Sequence, residues 1–200
     1  MSVIIETSAR HVHLCQEHLD ILFGFGYSLT PRKELSQPGQ VACAEQVKVI
    51  GPRGAMNMSV IGPVRPVSQV ELSITDARSL GVKAPIRVSG DLRGSGSCML
   101  VGPCGEVELR EGVIIARRHL DVTPEDAAEL GLRPDQTVRI AVNGESRALV
   151  FGDVVVRISP DCATRVHIDT DEANAAGLFA DGEGGLSDIP YAETKNYVKK

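Results

Sequence analysis

Short runs in which apolar and polar residues alternate cover much of the chain, and they predict strands. The first run, SVIIETS, is rich in β-branched residues. Similar runs follow between residues 41 and 89, separated by turn clusters such as GPRG and GPVRP. The second half continues with VELREGVIIAR, QTVRIAV, ALVFGDVVVRIS and RVHID. Many short strands at regular spacing indicate a barrel or a sandwich.

Helix signals are confined to a few short segments: CQEHLDILFGFG, TDARSLGV, TPEDAAELGL and TDEANAAGL. In the third, Thr123 stands at the N-cap position and Pro124 at the first helical position. So few helices argue against a doubly wound sheet. From about residue 181 the chain is glycine-rich and then polar, which predicts a loosely attached extension over 181–200.

Two stretches of the first half recur, in the same order, in the second half. ARHVHLCQEHLDILFGFG resembles RRHLDVTPEDAAELGL at a shift of 108 residues, and VELSITDARSLG resembles VHIDTDEANAAG with one gap. The matches place Arg10 on Arg118, His11 on His119, His13 on Asp121, and Glu71 on His167. Two matches in the same order favour an internal duplication.

Composition narrows the possible partners. The 200 residues are 42% apolar and 24% charged, which is typical of a soluble globular protein. A net charge of −5 and the absence of tryptophan argue against nucleic acid, which requires a basic face and stacking aromatics. The five cysteines form no C-x-x-C pair, so we expect reduced thiols of a cytosolic protein. No apolar run approaches the ~20 residues of a membrane helix.

Histidines and carboxylates at the repeat-related positions form two candidate metal sites. Alternate side chains of a strand share a face, so we expect His11 and His13 to point the same way, with Val12 in the core. Two imidazoles and a carboxylate from a neighbouring strand are a common ligand set for catalytic zinc. The candidate sets are His11, His13 and Glu71, and His119, Asp121 and His167.

Several of these residues also have a plainer explanation. H-x-H alone is more often a pair of exposed or hydrogen-bonded histidines, and the repeat is what favours a metal. His18 lies in a polar helix and is expected on the surface, while Cys15 continues the alternation of His13. Arg65, in a proline-glycine loop, is either simply solvated or, beside metals, a bidentate clamp for a phosphate or an oxyanion.

Five long motifs closely resemble the phosphate propanoyltransferase family, the phosphotransacylases of propanediol-utilisation microcompartments and their relatives. They are SARHVHL, LTPRKELSQPGQ, GPVRPVSQVELSITDARSLGVKAPIRVSGD, EGVIIARRHLDVTPEDAAELGL and HIDTDEANAAGL. The resemblance runs from about Val3 to Leu178. It implies transfer of a short acyl group between coenzyme A and inorganic phosphate, with two zinc ions as cofactors and a homodimer as the assembly.

The resemblance also implies a mainly β fold of two β-barrels capped by short α-helices. The first barrel is expected over 10–90, and the second over 1–9 together with 91–180. The first zinc would bind the first ligand set and the coenzyme A thiol, and the second zinc would bind the second set and waters. Arg65 matches the phosphate-binding arginine of the family, and Asn174 and Lys33 match positions near the coenzyme A nucleotide.

The chain departs from the family pattern at three points. Asp121 stands where a histidine is usual, and a carboxylate is a harder, anionic ligand. The second metal is therefore expected to bind with altered affinity, to be manganese, or to be lost. Cys15 replaces the usual serine or threonine, which argues against an essential thiol. No amphipathic extension precedes the first strand, so we expect a cytoplasmic enzyme and not one directed into a microcompartment.

Three hypotheses follow from the sequence. The leading one is a two-metal phosphate acyltransferase acting on propanoyl-CoA or acetyl-CoA. The second is a metal-dependent hydrolase of thioesters or phosphoesters, which would use the same ligands but water as the nucleophile. The third is a non-catalytic scaffold subunit that has lost its second metal through Asp121.

Overall fold

Residues 2–142 and 147–187 are described by a computed structural model, which confirms the mainly β fold. The first eight strands are β1 Ser2–Ser8, β2 His11–His13, β3 Pro31–Glu34, β4 Val41–Ile50, β5 Ala55–Gly62, β6 Gln69–Leu72, β7 Ile86–Arg87 and β8 Gly96–Val101. The next six are β9 Glu106–Ala116, β10 His119–Val122, β11 Thr137–Val142, β12 Leu149–Ile158, β13 Arg165–Asp169 and β14 Gly182–Leu186. The helices are α1 Gln16–Phe23, α2 Ile74–Leu80, α3 Pro124–Glu129 and α4 Thr170–Ala175.

The strands close into two six-stranded barrels of the same construction. In the first barrel the order is β4-β5-β2-β6-β9-β8, and β8 closes the ring by pairing with both β9 and β4. In the second barrel the order is β11-β12-β10-β13-β1-β14, with β14 in the closing position. The expectation of two β-barrels is confirmed, and the repeat seen in the sequence extends to the strand order.

The two halves of the chain exchange a strand. β1 pairs in parallel with β13 and so lies in the second barrel, while β9 pairs in parallel with β6 of the first barrel. The boundary between the barrels differs from the expected one at residues 90 and 91, because β8 and β9 belong to the first barrel. An alternating apolar pattern shows that a strand has a buried face, but it does not show which of two barrels buries it.

The end of the described chain also differs from expectation. Gly182–Leu186, predicted as part of a loose extension, form β14 between β1 and β11. A Cβ atom on Gly184 would lie 2.5 Å from the Ala141 carbonyl oxygen and 2.6 Å from Ile5 Cδ1. The glycines therefore permit close packing in a strand, where the sequence pattern had indicated a loop. Residues 188–200, the rest of that predicted extension, lie outside the described residues.

Each barrel has its own apolar core, and this directs the candidate ligands elsewhere. Val12, between His11 and His13, is fully buried in the first core, and Leu120 is fully buried in the second. Because successive side chains of a strand point to opposite faces, the flanking residues turn away from the cores. That orientation sends them into the cleft between the two barrels.

Side chains cap the N-termini of α2, α3 and α4, whereas Cys15 at the start of α1 forms no side-chain cap. The Ser73 hydroxyl caps α2 and the predicted Thr123 cap is present on α3, each accepting a backbone N–H at 3.2 Å. Asp169 and Glu172 form a reciprocal capping box on α4. Within the described part of the chain, no helix is long and apolar enough to cross a membrane.

Candidate active site between the two barrels

A cavity of about 300 Å³ lies in the cleft and is lined by both barrels. Its charged and imidazole-bearing side chains are Glu6, Arg10, His11, His13, Arg65, Glu71, His119, Asp121, Arg157 and His167. Both predicted ligand sets therefore converge on one chamber. The strand exchange brings the two sets together. β1, which precedes β2 of the first barrel in the chain, lies in the second barrel, and β9, which precedes β10 of the second barrel, lies in the first.

His11, His13 and Glu71 form the first group, at the junction of two antiparallel strands. His11 stands directly opposite Glu71 in the pairing of β2 with β6. The Nε2 atom of His11 lies 3.7 Å from Glu71 Oε2, and the Nε2 atom of His13 lies 4.0 Å from Oε1. The three ligand atoms all lie within 4.8 Å of one another, a spacing that can surround one metal ion.

Backbone carbonyls orient both imidazoles of the first group. Nδ1 of His11 donates to the Ala9 carbonyl at 2.8 Å, and Nδ1 of His13 donates to the Ile61 carbonyl at 3.1 Å. These bonds favour the tautomer in which Nε2 carries the free lone pair, as in many metal sites. Burial, and then the neighbouring His11, lower the pKa of His13 to about 3, so its imidazole is neutral at pH 7.

Neutral donors hold the Glu71 carboxylate. The Ser89 hydroxyl donates to Oε1 at 2.9 Å, and the Gln69 amide donates to the same oxygen. Burial would raise the pKa of Glu71, but the two histidines and the Ser89 hydrogen bond outweigh it and lower the pKa. The carboxylate is therefore ionised. The sequence analysis missed both supporting residues, although Gln69 could have been found by its alternation with Glu71.

The second group, which lies on an equivalent pair of antiparallel strands, consists of His119, Asp121 and His167. His119 stands opposite His167 in the antiparallel pairing of β10 with β13, as His11 stands opposite Glu71. Asp121 Oδ2 lies 3.8 Å from His119 Nε2 and 3.5 Å from His167 Nε2. Burial is the main cause that lowers the pKa of each histidine to about 4. Both imidazoles are neutral at pH 7.

Two residues that the sequence analysis did not single out engage the second group. Arg157 donates from Nε to Asp121 Oδ1 at 2.8 Å and from Nη2 to Oδ2 at 3.3 Å, a bidentate pair. The Gln37 amide nitrogen lies 2.9 Å from His167 Nε2. Arg157 lies two residues beyond Val155, which pairs with His119, so the strand register could have shown that it faces Asp121.

Arg65 lies on the loop between β5 and β6 and faces the same cavity. Its backbone N–H donates to the Leu14 carbonyl at 2.9 Å, and Nη1 donates to the Ser89 hydroxyl at 3.2 Å. Ser89 thus contacts both Arg65 and Glu71, and it links the guanidinium to the first group. A guanidinium held in this way can bind a phosphate through two hydrogen bonds.

The remaining predicted residues lie away from the cavity. Lys33 on β3 and Asn174 on α4 are both exposed, and neither is among the residues that line it. His18, expected on the surface, is half-buried, and its Nδ1 lies 2.8 Å from the Ser68 hydroxyl. The same hydroxyl accepts the Cys15 backbone N–H at 2.9 Å. His18 and Cys15 therefore belong to the packing around the start of α1.

Comparison with known proteins identifies the family. The model of the phosphate propanoyltransferase family matches residues 4–179, so the chain belongs to this family of acyltransferases. A phosphate propanoyltransferase of Thermotoga maritima is 50% identical over 177 residues, covering 88% of this chain and 84% of that protein. One of Listeria monocytogenes is 49% identical over 177 residues, covering 88% and 83%. One of Enterococcus faecalis is 49% identical over 181 residues, covering 90% and 85%.

Proposed function

We propose that this protein interconverts a short-chain acyl-CoA and inorganic phosphate with an acyl phosphate and coenzyme A, the acyl group being propanoyl or acetyl. The observation that carries the proposal is the convergence of His11, His13, Glu71 and Arg65 on one cavity. A metal-ligand set and a phosphate-binding cation face the same space, which suits an acyl transfer to phosphate. Membership of the family supports a transferase over a hydrolase.

The donor chemistry of the first group fits zinc. His11 and His13 offer imidazole nitrogens, Glu71 offers an anionic oxygen, and three protein ligands leave a position open for substrate. When bound there, zinc would act as a Lewis acid that polarises the thioester carbonyl and stabilises the departing thiolate. Ser89 and Gln69 fix the Glu71 carboxylate, as supporting residues do at many metal sites.

Arg65 holds phosphate for attack. A phosphate oxygen forms a bond to the carbonyl carbon of the thioester, the carbon–sulfur bond breaks, and the electron pair leaves with the coenzyme A sulfur. The positive charge of Arg65 offsets the negative charge of phosphate and aligns the attacking oxygen. No covalent acyl-enzyme is needed, and no cysteine occurs among the described residues that line the cavity.

Binding of the coenzyme A nucleotide is assigned, on the resemblance alone, to Lys33 and Asn174. Both side chains are exposed, so they are accessible to a nucleotide that lies outside the cavity. The same resemblance predicts a homodimer, which light scattering at the exit of a size-exclusion column would measure. The five cysteines, which form no C-x-x-C pair, lead us to propose a cytoplasmic location.

The direct test is phosphate dependence of thioester cleavage. Zinc-loaded protein is mixed with propanoyl-CoA or acetyl-CoA, with and without phosphate, and the released thiol and the acyl phosphate are measured. We expect thiol release only with phosphate, and one acyl phosphate for each thiol. Thiol release without phosphate would support the hydrolase instead, and inactivity with both substrates would refute the proposed function.

A further inference from the structure

The second group already holds a cation of its own. Both carboxylate oxygens of Asp121 accept hydrogen bonds from Arg157, and the Asp121 side chain is only 6% exposed. A bidentate pair in this setting neutralises the carboxylate. A divalent ion beside Asp121 would be repelled by the guanidinium at close range and would gain little from a carboxylate whose charge is already balanced.

Gln37 occupies the lone pair that His167 would offer to a metal. The Gln37 amide nitrogen donates to the Ala163 carbonyl at 3.1 Å, and the amide oxygen accepts the Ala163 N–H at 3.1 Å. This double contact fixes which end of the amide is nitrogen, so an N–H faces His167 Nε2 at 2.9 Å. A metal at this position would first have to displace Gln37.

Among the described residues, no guanidinium is hydrogen-bonded to Glu71, and no amide N–H faces Nε2 of His11 or His13. The residue of the first barrel that is equivalent to Arg157 is Ile61. Arg157 lies two residues after the strand partner of His119, and Ile61 lies two residues after the strand partner of His11. Ile61 contributes only its backbone carbonyl, which accepts the N–H of His13. The ligand spacing allows a metal in both groups, but the surrounding contacts fit one only in the first.

We propose that the second group binds no metal, and that Arg157, fixed by Asp121, supplies the positive charge at that point and binds phosphate together with Arg65. Both arginines line the cavity. Asp121 engages Nε and Nη2 of Arg157, which leaves the two hydrogens of Nη1 for another acceptor. Burial lowers the pKa of Arg65, and the charge of Arg157 acts in the same direction. The phosphate role rests on the proposed function, whereas the absence of a second metal does not.

Metal stoichiometry tests the first part without any assay of activity. The full chain is stripped with a chelator, reloaded with excess zinc, desalted and analysed for zinc and protein. We expect one zinc per chain in the wild type, and the same value for Asp121→Ala. Two zinc ions per chain in the wild type, falling to one in Asp121→Ala, would overturn the proposal.

Phosphate kinetics test the second part. Removing Arg157 alone would leave Asp121 as an unpaired buried charge, so the main variant combines Asp121→Asn with Arg157→Gln. We expect its KM for phosphate to rise roughly 10-fold to 100-fold, with the KM for acyl-CoA changed by less than about 3-fold. Arg157→Lys keeps the charge, and its rise should be smaller.

Arg110→Gln is the control, since the Arg110 side chain is 88% exposed and Arg110 does not line the cavity. Its KM for phosphate should stay at the wild-type value. An unchanged KM for phosphate in the double variant would overturn the role of Arg157. A wild type without transacylase activity would refute the proposed function, and the zinc count would still decide the metal question.

Discussion

The two ligand groups have the same types of ligand on equivalent strands, yet they differ in the side chains that donate hydrogen bonds to the carboxylate. Each has two histidines and one carboxylate on equivalent strands of equivalent barrels. Neutral donors, Ser89 and Gln69, support Glu71, whereas the cation Arg157 engages Asp121. Ligand type and spacing therefore do not define a metal site by themselves, because the contacts of the carboxylate decide whether its charge is available.

Loss of the first metal site should have the largest effect. In Glu71→Gln the anionic ligand is lost, and we expect kcat to fall by ~10³-fold, because Lewis-acid stabilisation contributes several kcal/mol. Initial rates with propanoyl-CoA and phosphate measure the fall, and bound zinc should be lost in parallel. A Glu71→Gln protein with wild-type zinc content and activity would remove the basis for distinguishing the two groups.

Loss of the Arg65 charge should have the second-largest effect on activity. Arg65→Gln removes a charge-assisted contact to phosphate, and we expect kcat/KM for phosphate to fall ~100-fold. Arg110→Gln is the control, because the Arg110 side chain is 88% exposed and does not line the cavity. Equal losses in the two variants would show that the effect is one of general charge and not of the site.

When the first group is loaded with zinc, acid should destabilise the protein by protonating the histidines of the second group. The pKa values of His119 and His167 are lowered to about 4 in the folded protein, against about 6.5 unfolded. Between these values the unfolded chain binds more protons, so stability is lost as the pH falls below about 6.5.

Each of these two histidines should lower the free energy of unfolding by about 2 kcal/mol between pH 7 and pH 5. Urea denaturation at the two pH values measures this loss, and His167→Gln should reduce it. The same loss in His167→Gln and the wild type would argue that metal or another contact shields His167.

Asp121→His should produce the smallest change in rate and no change in zinc content. The variant offers a third imidazole, but Gln37 still occupies His167 Nε2 and Arg157 keeps its charge without a counter-ion, so zinc should stay at one per chain. The kcat at saturating phosphate should change by less than about 10-fold, because the first ligand group is intact. A second zinc per chain in the variant would show that the Asp121 carboxylate, and neither Arg157 nor Gln37, keeps the metal out.

Much of this arrangement could be predicted from sequence, because alternation and repetition are local signals. The burial of Val12 between His11 and His13 follows from strand geometry, and the repeat pointed to Glu71 and His167 as partners. The contact between Gln37 and His167 was not predictable in the same way. Gln37 is 130 residues from His167 in sequence, and only the folded chain brings them together.

The placement of β8 and β9 escaped prediction for a related reason. Their apolar pattern fits either barrel, and the choice depends on which neighbouring strand has an open edge. β14 escaped because glycine, which usually indicates a loop, there permits close contact with Ala141 and Ile5.

Anomalous diffraction at the zinc absorption edge, from crystals of the zinc-loaded protein, tests the central claim most directly because it locates each metal. We expect one peak per chain, between His11, His13 and Glu71, and an ordered Arg157–Asp121 pair where a second peak would lie. A second peak among His119, Asp121 and His167, with Arg157 and Gln37 displaced, would contradict the account.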